Sequence, residues 1–274
     1  MKKTLLFLTL VTLVLAPATP AAQKTLTIEG STTVGPIADA FTEAFGSMYP
    51  ELEITVKKTG SGDGAAALVD GRCEIANMSR FMKESEFKRA INNGAYPVAH
   101  VVALDGVCVV LHPSNPVDSL TVEQVRDIYA GEITNWSQLG GTDREIVVIS
   151  RDTSSGTYGV FDDVVMDDEK MAAHVEYVSS NPQAHARVSS TESAIGYVGF
   201  GFLDKNVKPI KLNGIIPTQK TIASGSYPIA RPLFMFTDGY PELGSMTHRL
   251  VTFHLTEMGQ DIIQGIGFVP VTSY

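Results

Sequence analysis

Cysteine is scarce here: the 274 residues hold two, Cys73 and Cys108. That scarcity excludes a disulfide framework. With no histidine close by, the pair does not match the spacing of a zinc site either. In an oxidising compartment the two can bridge, and in strand-like surroundings they can equally remain buried free thiols. Histidine is thin as well, with six scattered residues and no H-E-x-x-H pattern, so surface or capping roles suit them. The G-x-S-x-G turn of nucleophile-elbow hydrolases is missing. Positive charge is in deficit, because 21 Lys and Arg against 30 Asp and Glu give a formal net charge of −9. So acidic a chain is a poor partner for nucleic acid or an anionic membrane. There is no internal repeat, low-complexity run or long linker.

What the sequence does contain starts with a leader. Residues 1–22 carry Lys2 and Lys3, then an apolar run from Leu5 to Ala16, then small residues, the pattern of a secretory signal. The run is too short to span a bilayer. Ala16-Pro17-Ala18 fits a cleavage site, and a cut after Ala22 fits too. No cysteine follows that would carry a lipid anchor, so an exported, soluble mature protein is expected. Loss of the two lysines deepens the net charge to −11. An anionic ligand must then be held by local dipoles and a few arginines against a repulsive overall field.

Four strand-to-helix turns carry hydroxyl groups. Gly30-Ser31-Thr32-Thr33-Val34-Gly35-Pro36 follows the strand-like 25–28 and opens an apolar stripe at helical spacing. Thr59-Gly60-Ser61-Gly62-Asp63-Gly64 lies between Ile54-Thr55-Val56 and an Ala-rich segment from Ala65 to Val69. Met78-Ser79-Arg80 joins a short strand to a polar helix around Glu84 to Ile91. Ser150-Arg151-Asp152-Thr153-Ser154-Ser155-Gly156-Thr157 follows a β-branched strand at Glu145 to Ile149 and precedes a helix opening near Thr157. Helix starts offer unpaired N–H groups and a positive dipole end, glycine permits close approach, and arginine adds a planar fork for an oxyanion. A Ser-capped turn with a surface Arg would explain any one of them. Four together describe an oxyanion cage.

In this order the stretches GSTTVGP, SGDG, MSR, ITNWSQLGG (Ile133 to Gly141) and SRDTSSGT, with Ala194 to Val198 and Pro228 to Phe236, resemble the periplasmic phosphate-binding proteins of phosphate ABC transporters, a type II periplasmic solute-binding family. The resemblance runs from about residue 25 to the C-terminus. It implies an α/β fold of two lobes with a hinge and a ligand cleft between them. It also implies capture of inorganic phosphate in the periplasm and delivery to membrane ABC permease subunits, with no cofactor, no metal and no catalysis. Carried over residue by residue, the site comprises Thr32, Thr33, Ser61, Ser79, Arg151, Ser155, Gly156 and Thr157. Some relatives have an Asp directly after the serine of the third turn where this chain has Arg80. Some have an acidic residue two positions after the main arginine, where this chain has Thr153. Asp63 is therefore expected to accept the proton that phosphate keeps, with a helix cap as its other reading and Asp152 next in line. Arg80 joins the expected site as a second cation. Sulfate or another tetrahedral oxyanion is the alternative ligand, and a phosphatase the alternative class, although no histidine stands near the SSGT loop to activate a nucleophile.

The strand–helix alternation up to Leu104 predicts a parallel sheet with helices on both faces. Lobe 1 is expected to comprise residues 23–104 and 232–274, and lobe 2 residues 105–231, in a monomer. Crossovers near Asp105 and Tyr227 to Arg231 would form the hinge. Trp136 reads as a loop anchor, and Asp162, Asp163, Asp167, Asp168 and Glu169 read as a solvated face.

Overall fold

The computed structural model describes residues 25–272, so the predicted leader at 1–22 lies outside the described residues. The chain opens as β1 (Thr25–Gly30), α1 (Gly35–Met48), β2 (Glu53–Lys57), α2 (Ser61–Val69), β3 (Ile75–Met78) and α3 (Glu84–Asn92). It then runs through the 15-residue β4 (Pro97–Leu111). Next come β5 (Ser119–Leu120), α4 (Val122–Ala130), β6 (Val147–Arg151), α5 (Gly156–Phe161), β7 (Glu176–Val178), α6 (Asn181–Ser189) and β8 (Ala194–Gly199). The last elements are β9 (Lys208–Pro209), β10 (Lys211–Leu212), α7 (Gln219–Ala223), β11 (Ala230–Asp238), α8 (Met246–Thr252) and α9 (Glu257–Gly265).

One curled sheet runs in the order β2-β1-β3-β11-β4-β8-β6-β7, with β9 added to β4. β1 pairs in parallel with β2 and β3, as the alternation predicts. The middle differs from that expectation. β11 returns antiparallel between β3 and β4, because it comes back from the far half of the sheet. β4 pairs with β11 from Pro97 to Gly106, and from Val107 to Leu111 it pairs with β8 instead. One strand thus belongs to both halves, and the change of partner falls opposite Arg231 and Ala230.

Each half has its own apolar core. Ile37, Phe41 and Phe45 of α1 pack with Leu250 of α8, Ile263 of α9 and Leu233 of β11. In the other half Val125, Ile128 and Tyr129 of α4 join Trp136, Phe161 and Tyr197. Thr121 caps α4 by accepting from Gln124 N, and Gly131 ends the helix at φ 85°. Trp136 is fully buried and its Nε1 donates to Ser193 O at 2.9 Å, so the ring anchors its loop. Cys73 and Cys108 lie in different clusters as free thiols. Burial pushes Cys73 up to about 12 and Cys108 well above the ordinary thiol range.

Pairing and capping set three element boundaries. The strand expected at 145–149 begins at Val147, Glu145 making only an isolated bridge to Asn135. The apolar-flanked stretch at 207–212 is split around buried Ile210, because Lys208–Pro209 pairs with β4 and Lys211–Leu212 with β5. After β11 the chain becomes helical only from Met246, behind the Ser245 cap, and tightens into a 3-10 turn at Phe253–Leu255.

Candidate oxyanion site

All four hydroxyl-bearing turns end at the same place. Ser31 supports the first by accepting from Thr33 N (3.1 Å) and Val34 N (3.3 Å), and Ser155 supports the last by accepting from Thr157 N and Tyr158 N, both at 3.2 Å. These two serines therefore serve as caps, which turns Thr32, Thr33 and Thr157 toward one another. Gly30 makes the first turn possible. Its φ is +136°, and a Cβ there would lie 2.2 Å from Asn77 O. The Oγ1 atoms of Thr33 and Thr157 stand 2.9 Å apart. Ser61 Oγ accepts from Ser79 N at 3.1 Å, and Gly62 N donates to Ser154 O at 2.9 Å. A Cβ on Gly156 would fall 2.3 Å from Ser61 Oγ and 2.6 Å from Ser79 Oγ, so the α5 start packs directly on the second and third turns.

Arg151 is 1% exposed. Its Nε donates to Val178 O (3.3 Å), and Nη2 donates to Ser179 O (2.8 Å) and Thr32 Oγ1 (3.2 Å), while Nη1 has no partner. Burial holds its pKa down at about 10, and the positive charge of Arg231 acts in the same direction. A guanidinium in that setting gains from an anion more than an exposed one does. The Tyr197 hydroxyl accepts from Arg151 N at 3.1 Å and meets Ser150 Oγ at 2.8 Å, fixing the backbone beneath the arginine.

Two predicted residues differ from the others in burial or in their partners. Arg80 is buried, but its Nη1 and Nη2 clasp the Glu86 carboxylate at 2.8 and 2.7 Å, leaving only Nε without a partner. Asp63 lies in the first turn of α2 with its side chain exposed, beside Ser154 of the fourth turn. Partial burial, then the charges of Asp152 and Glu29, raise its carboxyl above the ordinary range.

Three residues of the cluster carry no sequence motif. Asp105 on β4 is fully buried, and its Oδ2 accepts from Arg231 Nε (3.0 Å) and Nη2 (2.7 Å) while Oδ1 accepts from Phe200 N (2.8 Å). Burial pushes that carboxyl up and the Arg231 guanidinium opposes the shift. Arg231 also donates to Thr157 Oγ1 and Ser79 O, both at 3.0 Å. Asn181, at the start of α6, donates through Nδ2 to Thr33 Oγ1 (2.8 Å) and Thr32 Oγ1 (3.3 Å). A charged residue inside an apolar strand was the available signal for Asp105 and Arg231. Asn181 reads as an ordinary helix-start residue.

A mixed α/β chain whose continuous strands join two halves, with hydroxyls and guanidinia converging between helix starts, is a solute-binding architecture. The chain belongs to the PBP superfamily, whose domain model matches residues 15–254. Its particular family is that of the proteins named phosphate-binding protein PstS. The Bacillus subtilis (strain 168) member is 31% identical over 253 residues, covering 92% of this chain and 82% of that protein. A Clostridium perfringens structure, described as a phosphate ABC transporter substrate-binding protein with bound phosphate, is 33% identical with a TM-score of 0.83, covering 90% of this chain and 100% of that one. An ABC-type phosphate transport receptor from Vibrio cholerae is 32% identical with a TM-score of 0.73, covering 89% and 99%.

Proposed function

We propose that this chain captures inorganic phosphate outside the cytoplasm, in the periplasm, and delivers it to the membrane subunits of an ABC permease. The observation that carries the reading is Arg151, a buried guanidinium whose partners are two backbone carbonyls and one hydroxyl, with Nη1 uncommitted. Such a group, among hydroxyls from four turns, suits a small tetrahedral oxyanion. The named relatives support phosphate as that anion. Binding rather than catalysis fits the state of Asp105, which is committed to Arg231 and Phe200 N and is not available as a base.

The ligand set of this reading is Thr32, Thr33, Ser61, Ser79, Arg151, Ser155, Gly156 and Thr157. Residues 23–104 with 232–274 form one lobe, and 105–231 the other, of a monomer that closes on its ligand. The partner exchange along β4 at Gly106 and Val107 supports that division. Among the described residues no helix is long and apolar enough to cross a membrane. Titration calorimetry with phosphate, then with sulfate as competitor, tests the reading. Saturable phosphate binding is expected, and a protein that heats only with sulfate would overturn it. Small-angle scattering with and without phosphate tests the lobes, with a smaller radius of gyration expected when bound.

A further inference from the structure

Seven groups, all buried except the part-buried Phe200, close into a ring. Asp105 binds Arg231, Arg231 donates to Thr157, and Thr157 meets Thr33. Thr33 accepts from Asn181, whose Oδ1 accepts from Gly199 N at 3.1 Å, and the next amide, Phe200 N, returns to Asp105. The direction of each bond is fixed by chemistry. A backbone N–H can only donate, so the Gly199 contact assigns the Asn181 oxygen, and the amide nitrogen must face the threonines. Guanidinium and amide N–H groups only donate, so Thr157 Oγ1 accepts from Arg231 and Thr33 Oγ1 from Asn181. One of these two hydroxyls then spends its proton on the other. Thr32 Oγ1 accepts from both Arg151 and Asn181, so its proton stays uncommitted. The three threonines are left with two protons to give, and their lone pairs are largely taken.

We propose that Asn181 is a specificity-determining positioning residue, which holds the Thr32 hydroxyl and the paired Thr33 and Thr157 hydroxyls so that two of their three protons face the ligand and the site selects the most deprotonated edge of its oxyanion. The proposal rests on the phosphate reading and deepens it. It differs from selection by a carboxylate acceptor, the role the sequence suggested for Asp63, whose side chain is exposed. Phosphate is then taken as the dianion, with its single O–H turned away from the threonines. Sulfate, which has no proton, meets the same donors, so these hydroxyls do not reject it.

Asn181→Asp tests this with little change of shape. The Gly199 N–H keeps its acceptor, but a carboxylate edge now faces the threonines and draws their protons to itself. Their lone pairs turn toward the ligand. Phosphate can satisfy them with its O–H and sulfate cannot. Calorimetry with both anions should show both weakened by the added charge, with the phosphate-over-sulfate ratio widened about tenfold, the scale of one unsatisfied buried polar group. Equal losses, as from a merely structural role, would overturn the proposal. A second measurement needs no variant. Wild-type affinity for phosphate must rise with pH through phosphate's second ionisation, and a flat or falling profile overturns the inference even if Asn181→Asp does not fold. Wild-type protein that binds sulfate but not phosphate refutes the phosphate reading instead. In that event a fall in sulfate affinity of at least about tenfold in Asn181→Asp would still be required, and its absence refutes the proposal.

Discussion

Two arginines lie buried a few bonds apart and are treated in opposite ways. Arg231 is neutralised by Asp105, which accepts from two of its nitrogens. Arg151 is given two carbonyls and a hydroxyl and no carboxylate bond. A buried ion pair spends its charge internally and contributes geometry, here by placing Thr157 and the Ser79 carbonyl. A buried cation held only by dipoles keeps its field for something else. In a chain of net charge −9 this division lets one local positive centre work without bulk attraction.

The comparison breaks most violently at Asp105. Asp105→Leu strands Arg231 in the interior, and chemical denaturation should show a loss of about 3–5 kcal/mol, partly recovered when Arg231→Met is added. An unchanged midpoint for the single variant would mean that the pair does not frame the site. Arg151→Lys should do the reverse, leaving stability nearly intact and lowering phosphate affinity by about ten- to a hundredfold, as one or two charge-assisted bonds are lost. Calorimetry beside a melting curve separates the two outcomes. Gly156→Ala probes the packing of the α5 start on the second and third turns. Its Cβ would displace the Ser61 and Ser79 hydroxyls, and about a tenfold loss of phosphate affinity is expected with a normal far-ultraviolet spectrum.

The smallest effect belongs to Asp63. Asp63→Asn should shift phosphate affinity by less than about twofold, since the side chain is exposed. Its raised carboxyl carries a sign. An acid whose folded pKa lies above its unfolded one favours the folded state at low pH and loses that contribution as pH rises through the folded value. At pH 7 the variant should therefore melt at the same temperature or slightly higher, with any gain vanishing near pH 3. A marked drop in affinity would return Asp63 to the cage.

The legible part of this molecule was local. Hydroxyls at strand-to-helix turns announce themselves because cap chemistry and glycine requirements depend on neighbours in sequence. Their meeting at one point followed from the α/β alternation, in which strand ends present loops at one edge. The illegible part was long-range. Asp105 and Arg231 are 126 positions apart, and their pairing depends on β11 entering antiparallel beside β4. Asn181 reads as a routine residue beside a Ser180 cap, and only the meeting of α6 with the first turn gives its amide a role. The exposure of Asp63 was equally illegible, because the third residue of a short helix points where the helix turns, which spacing from Ser61 does not reveal.

The position of β11 also bears on how the protein is made. It fills the middle of the sheet, between β3 and β4, yet β4 ends at Leu111 and β11 begins at Ala230. On a ribosome adding ~5–20 residues per second, the intervening stretch takes about 6–24 s to appear. Through that interval the facing edges of β3 and β4 lack their common neighbour and are open to wrong strands, including those of other nascent chains. The half that begins the chain is therefore among the last to be completed, and a chain cut short before Asp238 forfeits the centre of its sheet, not merely a tail.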